Sequence, residues 1–541
     1  MNKKNIEIIP IGGVGEIGSN MTLFSTSTEE IIVDCGILFP NEDVFDINYL
    51  IADFSFLKER NIKRIIITHG HEDHIGAIVH LIRFIPNILI YSPPFAKRLI
   101  EDKLKEAQAS ANIITYSEDT IFDFGDYKIH PIRVNHSIPD TYGLMFKSND
   151  HKISILFISD FKFDDSSPYE LPAQLDKIKK LSKDSNLRLC FLDSTSILDS
   201  GKTPSEGELI RPLEEIFQQN TGQIFFTFFP SNIFRMNSIL NLAQKFNKKV
   251  ILFGKSMCKY YEAAKDLGMI QHRAGLIVDK ENAHYSPQSN YIYLLSGSQG
   301  DMRGAFRRFA TEQQNKVPIY NKDAFVYSAK IIPGNENSVY NIFNHIIEMG
   351  NILITPYEKK IHASGHPAKE DLKYYIEAFS PTHYVPIHGE SLFLKRHVEF
   401  IEKNYPHVRP TLLFNFQGLQ INRNLSVTVN KYELLKPILI HGKSIKIERE
   451  KISERRKLAS LGSIFISIIN LGKKSKINEI TFQGLPESFL IEKEQLCLSI
   501  RSLIARPKNE ASLKEDIRVA ARRFAEKSLG YRPIVTVHLI N

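Results

Sequence analysis

Cysteine is scarce and scattered. Cys35, Cys190, Cys258 and Cys497 form no CxxC pair, which argues against a disulfide framework and against a cysteine-based zinc site. Long apolar runs are also missing: no stretch reaches the roughly 18 uncharged apolar residues of a membrane span. The start, "MNKKNIEIIPIGG", is basic but has no continuous apolar core, so no secretory signal is expected. No internal repeat is visible. Charge of one sign is barely in excess, +8 over 541 residues. That permits an anionic partner without requiring one, because clefts act through local charge. These absences point to the reducing cytoplasm and away from a membrane.

What remains is an ordinary globular composition, 43% hydrophobic and 24% charged. The length allows about two to four domains. Up to about residue 160 the pattern is strand-rich, with polar residues at strand ends; "NIKRIIIT" (61–68) runs straight into "HGHEDH". From about 205 strands alternate with helices, which indicates a parallel α/β unit. Residues 423–457 are polar and charged and read as containing a linker. A small α/β unit follows, with strands near 463–469 and "PIVTVHLI" and the helix "SLKEDIRVAARRFAEKSLG".

Near the N-terminus Gly13, Gly15 and Gly18 have GxGxxG spacing, with Asp34 beyond them. A dinucleotide site would need a helix to follow, to meet the pyrophosphate. Residues 19–33 look instead like two strands and a turn. The glycines are therefore expected to shape a tight turn, or to bring backbone close to a site.

The chemistry begins at 69–74. His69, His71, Asp73 and His74 form HxHxDH directly after an apolar strand. Imidazole and carboxylate donors suit zinc or manganese. There are enough for two cations, His69 and His71 on one, Asp73 and His74 on the other. Glu72 falls outside the pattern and reads as solvated or supporting. Further donors stand at strand ends: His136, Asp160 and His388, with Asp160 the candidate to bridge two cations. Ser296 and Ser298 in "SGSQG", and Ser364 and Gly365 in "SGH", sit in small-residue turns. Their backbone N–H groups could meet phosphates, or they are ordinary β–α turns. Arg235, with Lys255 and Arg303, either lines a phosphate groove or is surface charge.

"GGVGEIG", "VDCG", "THGHEDHIGA", "NHSIPD", "SDFKFD", "LDST", "PSNIFR", "SGSQGD", "SAKIIPGNE", "HASGHPAKEDLK" and "VPIHGE" occur in this order. The chain thereby resembles the β-CASP branch of the metallo-β-lactamase superfamily, and within it the bacterial ribonuclease J family. "ERRKLASLGSIFISI" and "RVAARRFAEKSLGYRP" extend the likeness to the C-terminus. Asp301 stands where that family often has glutamate.

The resemblance implies an α/β fold: a metallo-β-lactamase αββα sandwich (1–205, returning at 351–425) with an inserted β-CASP parallel α/β domain (206–350). A linker (426–457) and a small C-terminal α/β domain (458–541) would follow. It implies two divalent cations, Zn2+ ahead of Mn2+ or Mg2+. His69, His71 and His136 would hold one and Asp73, His74 and His388 the other, with Asp160 bridging and Asp34 supporting the histidines from behind. Asp193 and His366, with Ser364 beside them, would touch the scissile phosphate. His366, if protonated, could stabilise the pentavalent charge or assist the leaving oxygen, and Asp73 could take the proton of water. Two cations about 3.5–4 Å apart can clamp both oxygens of an in-line displacement; a 5′-phosphate would be left on the downstream product.

The implied activity is hydrolysis of single-stranded RNA in mRNA decay and rRNA maturation, 5′-to-3′ from 5′-monophosphate ends, with some endonuclease cleavage. The implied partners are a second copy, as homodimer or homotetramer, and other RNA-decay proteins or ribosomes. A DNA-directed β-CASP nuclease shares nearly all of these features. A small-molecule hydrolase of glyoxalase or lactamase type shares HxHxDH but needs neither the insertion nor Ser364–His366.

Overall fold

The strands Ile153–Ile158 and Leu187–Asp193 are unbroken apolar runs because both of their faces are covered. Side chains alternate along a strand, and here both sets find a core. Ile155, Phe157, Leu189 and Phe191 enter one cluster; Leu156, Ile158, Cys190 and Leu192 enter another. The computed structural model describes residues 4–40, 46–283, 291–311, 317–442, 444–470, 475–505 and 509–540. Residues 1–3 of the N-terminal reading and Lys443 of the expected linker lie outside the described residues.

Two sheets, of eight and seven strands among the described residues, face each other. The first runs in the order Val427–Lys431, Gln417–Asn422, Lys4–Gly12, Met21–Ser25, Glu30–Val33, Ile62–Ile66, Leu89–Ser92 and Asn112–Thr115. The second runs Phe122–Phe124, Tyr127–Arg133, Tyr142–Ser148, Ile153–Ile158, Leu187–Asp193, His383–Ile387 and Arg409–Pro410. Between them Phe24 stacks on Phe146 with ring centroids 4.3 Å apart. Burying one such side chain contributes roughly 1.5–3 kcal/mol. Helix Lys369–Phe379 covers the outer face of the second sheet with Leu372, Tyr375 and Ile376. Helix Pro94–Glu106 buries Phe95, Leu99 and Ile100 in the outer layer next to the first. The layers are helix, sheet, sheet, helix.

Strand direction sets where the loops go. Glu30–Val33 and Ile62–Ile66 are parallel, as are Ile153–Ile158, Leu187–Asp193 and His383–Ile387. Tyr127–Arg133 runs the same way as these three, two antiparallel steps removed. Each of these strands ends in, or just before, a polar residue: Asp34, His69, Asp160, Asp193, His388 and His136. Parallel strands deliver their C-terminal loops to one edge, and a shared site there needs no long excursions of chain.

A third sheet is wholly parallel, in the order Lys249–Phe253, Tyr291–Leu295, Ile224–Thr227, Ala324–Tyr327, Ile352–Ile354. The strand first in sequence lies in the middle, so connections leave it to both sides. The loops beyond its carboxyl end and its neighbours' ends carry Ser231, Ser296 and Ser328.

Residues 40–49 and 438–541 group as a separate compact unit. Its strand Ser463–Asn470 pairs antiparallel with Ser475–Gln483 and parallel with Ile534–Ile540. Helix Glu510–Leu529 lays Leu513, Ile517, Ala521 and Ala525 on that sheet's core, one every fourth residue. Asn509 caps its start and Gly530, at φ 76°, ends it. The segment 426–457 is not the bare linker expected. It carries strands Val427–Lys431, Ile438–His441 and Ile445–Ile447 and most of helix Arg449–Leu461.

Arg235 also departs from expectation. It is 1% exposed, and its guanidinium is fully used inside the protein. Nε and Nη2 donate to Glu206 at 3.0 Å each, and Nη1 donates to the carbonyl of Ile361 at 2.8 Å. It therefore braces the interior and does not line a groove. Breaking a buried pair from one side costs about 3–5 kcal/mol. Arg235→Ala is expected to lower the urea unfolding midpoint by that equivalent, whereas a groove arginine would leave the midpoint in place.

Candidate metal centre

The strand Ile62–Ile66 is prolonged by Ile67, whose N–H donates to Tyr91 O at 2.8 Å. The chain then turns through His69–His71 into the short helix Glu72–Ile75. That turn is pinned from behind: Asn20 N donates to Asp73 O at 2.9 Å and Cys35 N to His74 O at 2.8 Å. Gly36 is the reason the backbones can approach so closely, since a Cβ there would lie 1.5 Å from Asp73 O. The N-terminal glycines shape a turn and also touch the site, for His388 N donates to Gly13 O at 3.1 Å. No helix follows them, as the strand Met21–Ser25 shows.

The structure brings the expected donors together in two sets that share Asp160. His69, His71, His136 and Asp160 form one; Asp73, His74, His388 and Asp160 the other. His71 Nδ1 lies 3.2 Å from His69 Nε2 and 3.0 Å from His136 Nε2. Asp160 Oδ2 is 3.5 Å from His136 Nε2. Its other oxygen, Oδ1, is 3.0 Å from His74 Nε2 and 3.3 Å from His388 Nε2. Asp73 Oδ2 is 3.3 Å from His388 Nε2. A third grouping joins Asp193, His366 and His388.

The outer ring nitrogens show which atoms keep their protons. His136 Nδ1 meets the carbonyl of Gly365 at 2.6 Å, and a carbonyl only accepts. His74 Nδ1 meets Asp34 Oδ2 at 2.8 Å. Thr68 Oγ1 donates to Asp34 at 2.7 Å, so it accepts from His69 Nδ1 at 3.0 Å. Thr195 Oγ1 donates to His388 O and accepts from His388 Nδ1 at 2.8 Å. His71 has its Nε2 outward, 3.1 Å from Ser231 Oγ. In neutral rings the inward nitrogens are then bare lone pairs facing one another. Asp160 Oδ1 is buried with no hydrogen-bond partner. Converging lone pairs and an orphaned carboxylate oxygen fit divalent cations.

The electrostatics divide the two sets. Burial holds His69 and His136 well below the ordinary histidine value and His71 at about 4, which keeps all three rings neutral. Burial pushes His74 and His388 the same way, but Asp160 and Asp73 outweigh it. His74 rises well above its usual value and His388 to about 9. Burial would raise Asp73, yet His74 and His388 hold it well below the carboxylate range. A carboxyl held that low takes up protons poorly, against the expectation that Asp73 takes the proton of water.

His366 stands at the open side, with 25% of its side chain exposed. Its Nδ1 bonds Asp193 Oδ2 at 2.7 Å, and its backbone N–H donates to Ser364 Oγ at 3.1 Å. Burial opposes protonation of this ring, but Asp193 prevails and raises it. Gly365 admits no side chain, because a Cβ would sit 2.8 Å from the His136 ring. Ser296 and Ser298 are buried in the turn after Tyr291–Leu295. Backbone bonds of Ser296 run to Phe253 and Phe306, not to the histidine cluster. Glu72 pairs with Lys103 at 2.5 Å, which places it on the loop's supporting side. Sequence reasoning missed Asn20, whose Nδ2 donates to Asp73 Oδ2 at 3.2 Å, and also Thr68, Thr195 and Ser231. None of these residue types at these positions carries a spacing signal.

Residues 14–145 match a family model described as Metallo-beta-lactamase superfamily. Residues 221–346 match Ribonuclease J, beta-CASP domain, and 358–410 match Zn-dependent metallo-hydrolase RNA specificity domain. The chain is 30% identical to Ribonuclease J of Mycoplasma genitalium, across 88% of this chain and 84% of that protein. It is 29% identical to Ribonuclease J of Sinorhizobium meliloti, across 99% and 97%. A crystal structure of an Enterococcus faecalis protein of unknown function shares the fold with a TM-score of 0.55. It is 15% identical and covers 77% of this chain and 99% of that one.

Because Asp160 and Asp73 push His388 up to about 9 and raise His74 as well, the arrangement favours protons on both rings at pH 7 that a cation must displace. Zinc added to metal-free protein at pH 7 is expected to release protons, and its affinity to rise with pH toward 9. Calorimetric titration in buffers of different ionisation enthalpy counts them; no release at pH 7 would contradict this arrangement.

Proposed function

Since the chain belongs to the ribonuclease J family of the metallo-β-lactamase superfamily, we propose that it hydrolyses RNA at the Asp160 cluster, 5′-to-3′ from 5′-monophosphate ends and also internally. The observation that carries this reading is the pair of donor sets sharing Asp160, with the His366–Asp193 pair open beside them. His69, His71 and His136 would hold one cation and Asp73, His74 and His388 the other, with Asp160 available to both sets. Histidine-rich donors favour Zn2+; the second, more carboxylate-rich set also suits Mn2+ or Mg2+. When bound, two such cations supply Lewis acidity and a hydrolytic water of lowered pKa.

The protein's own residues do the rest. Asp34, Thr68 and Thr195 orient ligand imidazoles from behind. Asp193 holds the Nδ1 proton of His366 and favours the charged form of that ring. Its other nitrogen then donates toward the leaving oxygen or toward charge building on phosphorus, a contribution of about 10²–10⁴ in rate for a placed acid. Ser364 fixes the backbone of His366. The N–H groups of the Ser364–His366 and Ser296–Gly300 turns are read as contacts for RNA phosphates, supported by their small residues.

The same reading includes action in mRNA decay and rRNA maturation in the cytoplasm, alongside ribosomes or other decay proteins. No helix among the described residues is long and apolar enough to cross a membrane. Association as a dimer or tetramer is supported by the family and by Ile491 and Leu498, exposed at 83% and 62% on the C-terminal unit.

The test is purified protein with Zn2+ or Mn2+, offered 5′-monophosphate, 5′-triphosphate and 5′-hydroxyl RNAs and matched DNA. Mononucleotides are expected from RNA, fastest from the monophosphate. His366→Ala is expected to lower kcat about 10²–10⁴-fold with cation content unchanged. Equal or better cleavage of DNA would sink the RNA assignment.

A further inference from the structure

His71 turns its Nδ1 to the cluster, so its Nε2 points away, and it ends 3.1 Å from Ser231 Oγ. Ser231 is not part of the sandwich. It lies in the loop after strand Ile224–Thr227 of the inserted sheet and just before helix Ile233–Lys245. The inserted α/β unit thus reaches a ring that belongs to the sandwich.

That loop is held rigidly. Asn232 caps the helix by accepting from Arg235 N at 2.9 Å, and its Nδ2 donates to Glu206 Oε1 at 3.0 Å. Glu206 takes both guanidinium bonds of Arg235, whose Nη1 donates to Ile361 O. Ile361 is four residues before Gly365, the carbonyl that holds His136. One buried pair therefore ties together the two segments on which the outer nitrogens of His71 and His136 rest.

We propose that Ser231 is a positioning residue for His71: its Oγ accepts the Nε2 hydrogen, fixes the tautomer that leaves the lone pair on Nδ1, and lets the inserted sheet set cation affinity at the His69–His71–His136 set. This rests on the two-cation reading above. A histidine ligand whose outer N–H is unpaired can exchange tautomers and tilt, and loss of such a partner typically weakens cation binding about 10- to 100-fold. Thr195 serves His388 through a hydroxyl in the same manner.

The experiment uses full-length wild type, Ser231→Ala and Ser231→Thr, each stripped of metal and titrated with Co2+. Chelator competition gives the two dissociation constants, and the visible spectrum reports geometry at each. Ser231→Ala is expected to weaken one cation about 10- to 100-fold and alter its spectrum, leaving the other cation and the metal-free thermal midpoint unchanged. Ser231→Thr is expected to restore both readouts. Wild-type constants and spectrum in Ser231→Ala would overturn the proposal. Wild type that takes up no Co2+ would instead overturn the two-cation reading on which it rests.

Discussion

A carboxylate with no hydrogen-bond donor on one oxygen should not survive in a protein interior, because burying unpaired charge is costly. Asp160 is such a group: 2% exposed, with one oxygen turned to each donor set. Only protons or cations can compensate it. The outer hydrogen bonds of the surrounding histidines bias the choice. Each outer nitrogen is committed to Asp34, Thr68, Thr195, Ser231 or Gly365, so in neutral rings it is lone pairs that face inward. The site is organised around buried carboxylate charge, to which the chain's own answer is the raised proton affinity of His74 and His388.

Getting seven such donors to one place is a topological problem, and strand direction solves it. The HxHxDH turn comes from one sheet; His136, Asp160 and His388 come from the other. All leave the C-terminal ends of strands that share a direction within their sheets. Between Asp193 and His388 lies the whole inserted unit, yet Leu187–Asp193 and His383–Ile387 are hydrogen-bonded neighbours. The insertion is therefore a loop in topological terms, held across its base by a strand pair and across its interior by Glu206 and Arg235.

Much of this was legible in the sequence, and the rest was not for identifiable reasons. HxHxDH after an apolar strand declares donors whatever the fold, and the ordered motifs assigned Asp160, His366 and His388 to the same site. The region from 205 onward read as parallel α/β because short, mostly apolar strands alternate there with helices. Arg235 misled, because a cation in "PSNIFR" gives no hint that Glu206, 29 residues earlier, is buried beside it. Asn20, Thr68, Thr195 and Ser231 are common residues whose work depends on approach across the fold. The segment 426–457 looked like linker because Val427–Lys431 is an edge strand with mostly exposed residues and Arg449–Leu461 buries only Ile452. Only Val427 and Val429 mark a face of the strand, and Ile452 one of the helix, too few to set a period in the sequence.

The partner of His136 differs in kind from the others. Asp34, Thr68, Thr195 and Ser231 act through side chains, and a single codon change can abolish any of them. Gly365 acts through its carbonyl, which every amino acid possesses. Mutation can remove that contact only by moving the backbone, and the space beside it admits no Cβ. The protein therefore places one imidazole's orientation beyond the reach of ordinary side-chain drift, at the expense of making that one position intolerant of anything but glycine.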